Sequence, residues 1–491
     1  MPVVVNIHPL FQICKHIPQN SCQVKTLDRH VFFCYLYLTM KKKIGKKPVT
    51  VGFIALGCPK NIVDSERMLA EIAQADLAIT ADPDNADVVV INTCGFIAPA
   101  RAEALEAIKH AVLRKTHGRV KKVIVAGCLS ERLGTDLFSQ ADGIDAIVGL
   151  ARRDEIAQII KKTLSSTIPA AYLDRPGGTI DDSAPDDRAR LLITPRHWAY
   201  LRIGEGCNHK CSFCTVPAIR GRFRSKPEKL VLAEATELVS SGVVELNIIA
   251  QDTACYGRDL KPKNDLAALT CELEKIPGLA WLRLMYLYPA GINDKLIRTI
   301  AKSSKILHYI DMPIQHINDK ILKAMRRPDT KKSICRLIEN LRQTCPDIVL
   351  RTTLIVGFPG ETDRQFSELV NFIKWARFDA LGVFEYYPES GTVAAEMPDQ
   401  LPDRTKQQRL DELMLTQQKI AFAKNKKRIG SKLTCLIDSA DNKRTPRGRF
   451  YGQAPGIDSL CIIKNCSAGP GKFIDTNVIG TKNYDLLVRQ I

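Results

Sequence analysis

The chain has 491 residues, 45% of them apolar and 25% charged, with a formal net charge of +18. Its length exceeds what one hydrophobic core organises, and its composition is that of folded domains, so a wholly disordered or fibrous chain is excluded and about three domains are expected. No run of about 18 apolar residues occurs, so no membrane span is expected. The sixteen cysteines come without a clear secretory signal, and they read as metal ligands or buried thiols of a cytoplasmic, reducing compartment rather than as disulfides.

Residues 1–47 and 426–491 each carry a surplus of +7, which leaves +4 for residues 48–425. A basic C-terminal part points to a polyanionic partner, RNA or a ribonucleoprotein, with a merely solvated surface as the plainer reading. Residues 1–39 hold Cys14, Cys22 and Cys34 and show no sustained period, whereas MKKKIGKKPVTVGFIALGC reads like an ordinary start at Met40. Residues 1–47 are therefore expected to be an unstructured leader or a mis-called start, with a targeting presequence as the alternative.

From residue 49, short apolar runs (VTVGFIAL, ADVVVINT, KKVIVAG) alternate with segments of helical spacing. Strands apolar on both faces and separated by helices predict a parallel α/β domain over 48–165. The stretch RPGGTIDDSAPDDR marks a linker over 166–196. Alternation then resumes with WAYLRI, VELNIIA, LAWLRLMYL, HYIDMPI, VLRTTLIVG and ALGVFEYYP. Six such strands with intervening helices predict a partial TIM-type (β/α)6 barrel over 197–425. A charged helix, 404–428, leads into short β-like runs broken by Gly, Pro, Asn and Asp, expected to form a small all-β barrel over 426–491.

Cys207, Cys211 and Cys214 lie within eight residues, directly after the strand WAYLRI. Barrel enzymes place their chemistry at that end of a strand. Three thiolates around a four-iron cubane leave one iron open to a reactant. Structural zinc, with His209 or a distant residue as fourth ligand, is the competing reading; His209 sits in a cramped place between the cysteines, and no second close pair follows. Cys58, Cys94 and Cys128 form a second set, each after an apolar strand and 36 and 34 residues apart. Parallel strands with right-handed crossovers bring such positions to one sheet edge, and Gly57, Gly95 and Gly127 beside them leave room for a large inorganic group. Three buried thiols at strand ends are the bland alternative. Cys255, Cys271, Cys335 and Cys345 read as core thiols, and Cys435, Cys461 and Cys466 show no metal-like spacing.

The 204–214 stretch, GEGCNHKCSFC, looks like that of the radical S-adenosylmethionine (SAM) superfamily. With GCPKN, TCGFI, GCLSER, MYLYPAGI and LIVGFPGET, nearly all of residues 48–491 resembles the methylthiotransferase family, in its branch acting on ribosomal protein. The resemblance implies two 4Fe–4S clusters, one on Cys207, Cys211 and Cys214 that binds SAM, and an auxiliary one on Cys58, Cys94 and Cys128. It places Gln251, Gln315, Gly357, Gly360 and Glu361 near SAM and makes the last domain a TRAM-like substrate-binding barrel. It implies methylthiolation of an aspartate β-carbon in small-subunit ribosomal protein twelve, with an electron donor such as a flavodoxin or ferredoxin. The alternatives are a tRNA adenosine methylthiotransferase and a non-catalytic, metal-stabilised RNA-binding protein. Arg220, Arg222, Arg224 and Lys226 are candidate substrate contacts, since Arg suits planar carboxylate or phosphate recognition. Ribosomal RNA is a candidate partner of the basic tail.

Overall fold

The computed structural model describes residues 48–173, 185–441 and 444–491. The expected leader lies outside the described residues, as does most of the RPGGTIDDSAPDDR stretch. The chain forms two compact units, one of residues 48–173 with Ala189–Ile193, the other of residues 185–188 with Thr194–Ile491.

In the first unit, strands β1 (Thr50–Ala55), β2 (Ala78–Thr80), β3 (Val88–Thr93), β4 (Lys122–Gly127), β5 (Ala146–Val148) and β6 (Ala170–Tyr172) build one sheet in the order β2-β1-β3-β4-β5-β6. All five pairings are parallel. Every residue of β3 is buried, because helices cover both faces. Val89 and Ile91 join a core with Ala104 and Ile108 of helix α1 (Ala98–His117). Val88 and Val90 face the opposite core, with Met68 and Ile72. Each such aliphatic side chain contributes about 1.5–3 kcal/mol through removal from water.

The segment 166–196, expected as a linker, instead contains β6, whose three residues are too few to show a period. Its Arg190 also returns to this unit, with Nε 2.9 Å from Glu66 Oε2, both side chains being buried.

The second unit opens with β7 (Trp198–Arg202), β8 (Gly204–Glu205) and β9 (Arg224–Ser225), followed by β10 (Glu245–Ile249), β11 (Trp281–Leu284), β12 (Ile306–Asp311), β13 (Val349–Val356) and β14 (Ala380–Glu385). The sheet order β14-β13-β12-β11-β10-β7 follows the chain, and every pairing is parallel, which gives the expected partial (β/α)6 barrel. Its helices begin on recognisable caps. Asn293 caps α2 (Asp294–Lys302), and Thr330 with Ser333 and Thr362 with Gln365 form capping boxes for α3 (Lys331–Thr344) and α4 (Asp363–Ala376).

Helix α5 (Asp403–Lys427) leads into β15 (Lys432–Asp441), β16 (Arg444–Phe450), β17 (Cys461–Lys464), β18 (Phe473–Lys482) and β19 (Asp485–Gln490), a closed barrel in the order β15-β16-β17-β19-β18. Cys435, Ile437, Cys461, Ile463 and Val488 fill its core. The barrel docks at the strand starts of the six-stranded sheet. Arg449 reaches Glu245, the first residue of β10, at 2.7 Å, and Trp281, the first of β11, packs edge-on against Phe473. The opposite, C-terminal strand ends are left to the loops that carry the site.

Candidate active site

The loop after β7 is fixed from several sides. Cys207 N donates to Gly221 O at 3.1 Å, and Ser212 binds Met325 O through its N–H and Ala324 O through its hydroxyl. Gly206 has φ +79°, and a Cβ there would lie 2.2 Å from Arg222 O, so only glycine fits. The three cysteines line one cavity of ≈ 630 Å³ together with Arg222. His209 N donates to Cys207 Sγ and Val216 N to Cys214 Sγ, each at 3.4 Å. Burial raises the thiol of Cys207 to about 11 and that of Cys214 to about 12, with those N–H donors acting in the opposite sense. Such thiols stay protonated until a cation takes the proton's place, which is the behaviour of metal ligands in a water-poor site.

His209 also lines the cavity, and its ring is held by neighbours: its Nε2 lies 2.6 Å from Asp252 Oδ2 and its ring stacks on Tyr288 at 3.8 Å. Burial favours the neutral form of Asp252, but hydrogen bonds from His209 and Cys255 outweigh it and hold the carboxyl below its usual range. Cys255, expected as a core thiol, is half-buried here, with Sγ 2.7 Å from Asp252. Cys345 is buried as expected, whereas Cys271 is exposed on its helix.

Gln251 follows β10 and donates to Glu205 at 2.9 Å, leaving its buried Oε1 without a hydrogen bond. Gln315 has φ +72° and bridges to Leu354 beside β13. Gly360 has φ +76° with open space where a Cβ would be, which suits a ligand's approach. Gly357 differs: its missing Cβ makes room for the Lys406 side chain, 2.4 Å away. Glu361 is buried and turned inward, its Oε2 accepting from Gly357 N and Phe358 N. It shapes the turn.

The four candidate substrate cations separate. Arg220 is buried against Glu205 at 2.8 Å, and Lys226 is buried between Asp187 at 2.7 Å and Glu234 at 2.5 Å, so both are occupied by internal carboxylates. Arg224 is half-buried. Arg222 is exposed and lines the cavity.

In the first unit, Cys58 directly precedes the helix Pro59–Gln74, Cys94 follows β3, and Cys128 opens the helix Cys128–Leu133 at the end of β4. β1, β3 and β4 are neighbours, so the three loops meet at one edge. A Cβ on Gly57 would lie 2.8 Å from Cys94 Cβ, and one on Gly95 would lie 2.6 Å from Cys128 O. Asn61 ties the loops together. Its Nδ2 donates to Leu56 O and Thr93 O at 3.0 and 2.9 Å, and its Oδ1 accepts from Cys128 Sγ at 3.5 Å. Asn92 in turn donates to Asn61 O and Ser65 Oγ. These two asparagines were not singled out from the sequence, although a lone polar residue ending the apolar run VVVIN is the available signal. Soft thiolate donors on small-residue loops fit an iron–sulfur cubane at both places.

Comparison with known proteins matches residues 201–373 to the radical SAM superfamily, 50–149 to the uncharacterized protein family UPF0004, and 429–491 to the TRAM domain. The chain is 43% identical over 439 residues to the ribosomal protein uS12 methylthiotransferase RimO of Geobacter sulfurreducens, covering 89% of this chain and 97% of the relative. The chain belongs to the RimO family. The RimO of Pelotomaculum thermopropionicum is also 43% identical, over 441 residues, covering 89% of this chain and 98% of that protein. Among solved structures, the radical SAM methyltransferase TsrM of Kitasatospora setae, with tryptophan and a SAM analogue bound, superposes with a TM-score of 0.51 at 12% identity over 81% of this chain and 79% of that one, a likeness of fold. All six cysteines lie inside the segments that match the first two families, so the RimO relationship covers both sites.

Proposed function

We propose that this chain is a cytoplasmic radical SAM methylthiotransferase that converts a β-C–H bond of an aspartate in ribosomal protein uS12 to C–S–CH₃, using one SAM as methyl donor and another as radical source. The observation that carries the reading is the recurrence of one design: three cysteines, and no fourth in the same loops, at the C-terminal ends of parallel strands in each unit. Cys207, Cys211 and Cys214 would hold one 4Fe–4S cluster with an iron left for SAM, and Cys58, Cys94 and Cys128 the auxiliary cluster. Bound there, the clusters supply the electron that cleaves SAM and a site for sulfur.

The chain's own residues do the placing. Backbone N–H groups of His209 and Val216 orient two of the sulfurs. Gln251, Gln315 and the open Gly360 would contact SAM, and Arg222 would offer a fork-shaped cation to the target carboxylate. The C-terminal barrel presents the basic surface that would meet ribosomal RNA, and a small flavodoxin or ferredoxin would deliver the electron. Among the described residues no helix is long and apolar enough to cross a membrane.

Anaerobic reconstitution followed by incubation with uS12 and with tRNA tests the reading. A methylthio mass increment on the uS12 aspartate, with about eight irons per chain, is expected. An increment on tRNA adenosine alone would shift the substrate to RNA. Bound zinc without SAM cleavage would leave a binding protein only.

A further inference from the structure

Tyr288 follows β11 and begins the turn Pro289–Gly291 beneath the Cys207–Cys214 loop. Its side chain is buried, yet its hydroxyl makes no complete hydrogen bond. A buried hydroxyl in that condition costs about 1–3 kcal/mol, so the position calls for an acceptor. The ring is gripped hard. The His209 ring stacks on it at 3.8 Å with planes 8° apart, and the Arg327 guanidinium lies 3.7 Å from its centroid. Two planar groups that close occupy opposite faces. His209 is anchored by Asp252, and Arg327 by Pro313 O at 2.7 Å. The phenol therefore cannot swing toward solvent, and the Cys211 thiol is among the polar groups beside it, with Arg327 and Asp329.

We propose that Tyr288 donates its hydroxyl proton in a hydrogen bond to the Cys211 sulfur when that sulfur is a cluster thiolate, and so raises the reduction potential of the SAM-binding cluster. The proposal rests on the reading of Cys207, Cys211 and Cys214 as cluster ligands. It completes a set: Cys207 and Cys214 each receive a backbone N–H, and among the described residues no backbone N–H is directed at Cys211. A neutral thiol is a weak acceptor, whereas a thiolate sulfur carries charge and accepts strongly. A phenol brings one O–H donor to that sulfur. Hydrogen bonds to cluster sulfurs stabilise the more negative, reduced state and move the potential upward. Tyr288 is thus a positioning and tuning residue, which need not touch substrate.

The test is an electron paramagnetic resonance redox titration of full-length, anaerobically reconstituted holoenzyme, following the reduced-cluster signal that SAM addition perturbs. Tyr288→Phe keeps the stacked ring and removes only the hydroxyl. It is expected to retain iron content and melting temperature and to shift the midpoint of that signal to a more negative potential. SAM cleavage should then fall several-fold with a weak reductant and recover with titanium(III) citrate, a split that a purely structural role would not produce. Arg327→Gln, which removes the charge over the ring, should shift the midpoint in the same direction by less. A wild-type midpoint in Tyr288→Phe with the cluster intact overturns the role of the tyrosine and leaves the functional reading standing. A wild-type protein with no SAM-perturbed signal defeats the functional reading and this proposal with it.

Discussion

Lys226 and Arg222 stand four residues apart in one cationic run, and burial gives them opposite tasks. The Lys226 ammonium is almost fully excluded from water between Asp187 and Glu234. Removing one partner of a buried ion pair strands the other charges, so Lys226→Ala should lower stability by about 3–5 kcal/mol in denaturant melts. Arg222→Glu, at an exposed position, should leave the melt unchanged and reduce uS12 modification about tenfold or more, the loss of one charge-assisted hydrogen bond. Equal activities for Arg222→Glu and wild type would remove Arg222 from the substrate contacts. Asn61 acts on the other site in a similar indirect way. Asn61→Ala frees the carbonyls of Leu56 and Thr93 and the Cys128 contact together. Outer partners of metal ligands are worth about 10–100-fold in metal affinity, so iron per chain should fall by about four after mild chelation while SAM cleavage persists. Unchanged iron retention in Asn61→Ala would mean that the three thiols need no such clamp.

The elements announced themselves unequally. The run VVVIN lies in a central strand covered on both sides, and near-continuous apolar character is what such burial demands. The strands β2 and β6 at the sheet edges, and β5 beside β6, have three residues each, too short for any period to stand out. The six cysteines were readable because each set stands at the ends of readable strands. Tyr288, His209 and Arg327 were not, since their contact joins three separate loops and leaves no spacing in the chain. The docking of the C-terminal barrel was equally hidden, resting on Arg449, Asp438 and His197 from distant segments. Burial works to raise the Asp438 carboxyl, but hydrogen bonds from His197 and Arg449 prevail and hold its pKa below the ordinary carboxylate value of 3.8. A lowered folded-state pKa means that its stabilisation is present above that value and is lost as pH falls through the folded pKa. Acid melts of the wild type should therefore steepen below pH 3.8, and Asp438→Asn should flatten that limb while lowering stability at pH 7. Parallel acid limbs in the two proteins would show that this contact does not govern docking.

Taken as a whole, the molecule's charge is lopsided, with +7 on residues 426–491. Strand register turns that sum into a surface. Lys464 of β17 lies opposite Arg489 of β19, Arg489 opposite Asn477 of β18, and Asn477 opposite Lys432 of β15, and all three cations are exposed. Neighbouring strands are about 4.8 Å apart, so the row crosses about 14 Å of the barrel wall. A row of cations of that length matches a phosphate backbone better than a basic protein, which it would repel. The proposed ribosomal RNA contact would then have a distinct signature. Reversing Lys432, Lys464 and Arg489 to Glu should weaken binding to the small ribosomal subunit and flatten the plot of log affinity against log salt. About three lost phosphate contacts would change its slope by about 2–3. Modification of free uS12 should be untouched, because the altered side chains are needed only where RNA surrounds the substrate. An unaltered salt slope would assign the band to solvation, and equal losses on free and ribosomal uS12 would assign it to the protein substrate itself.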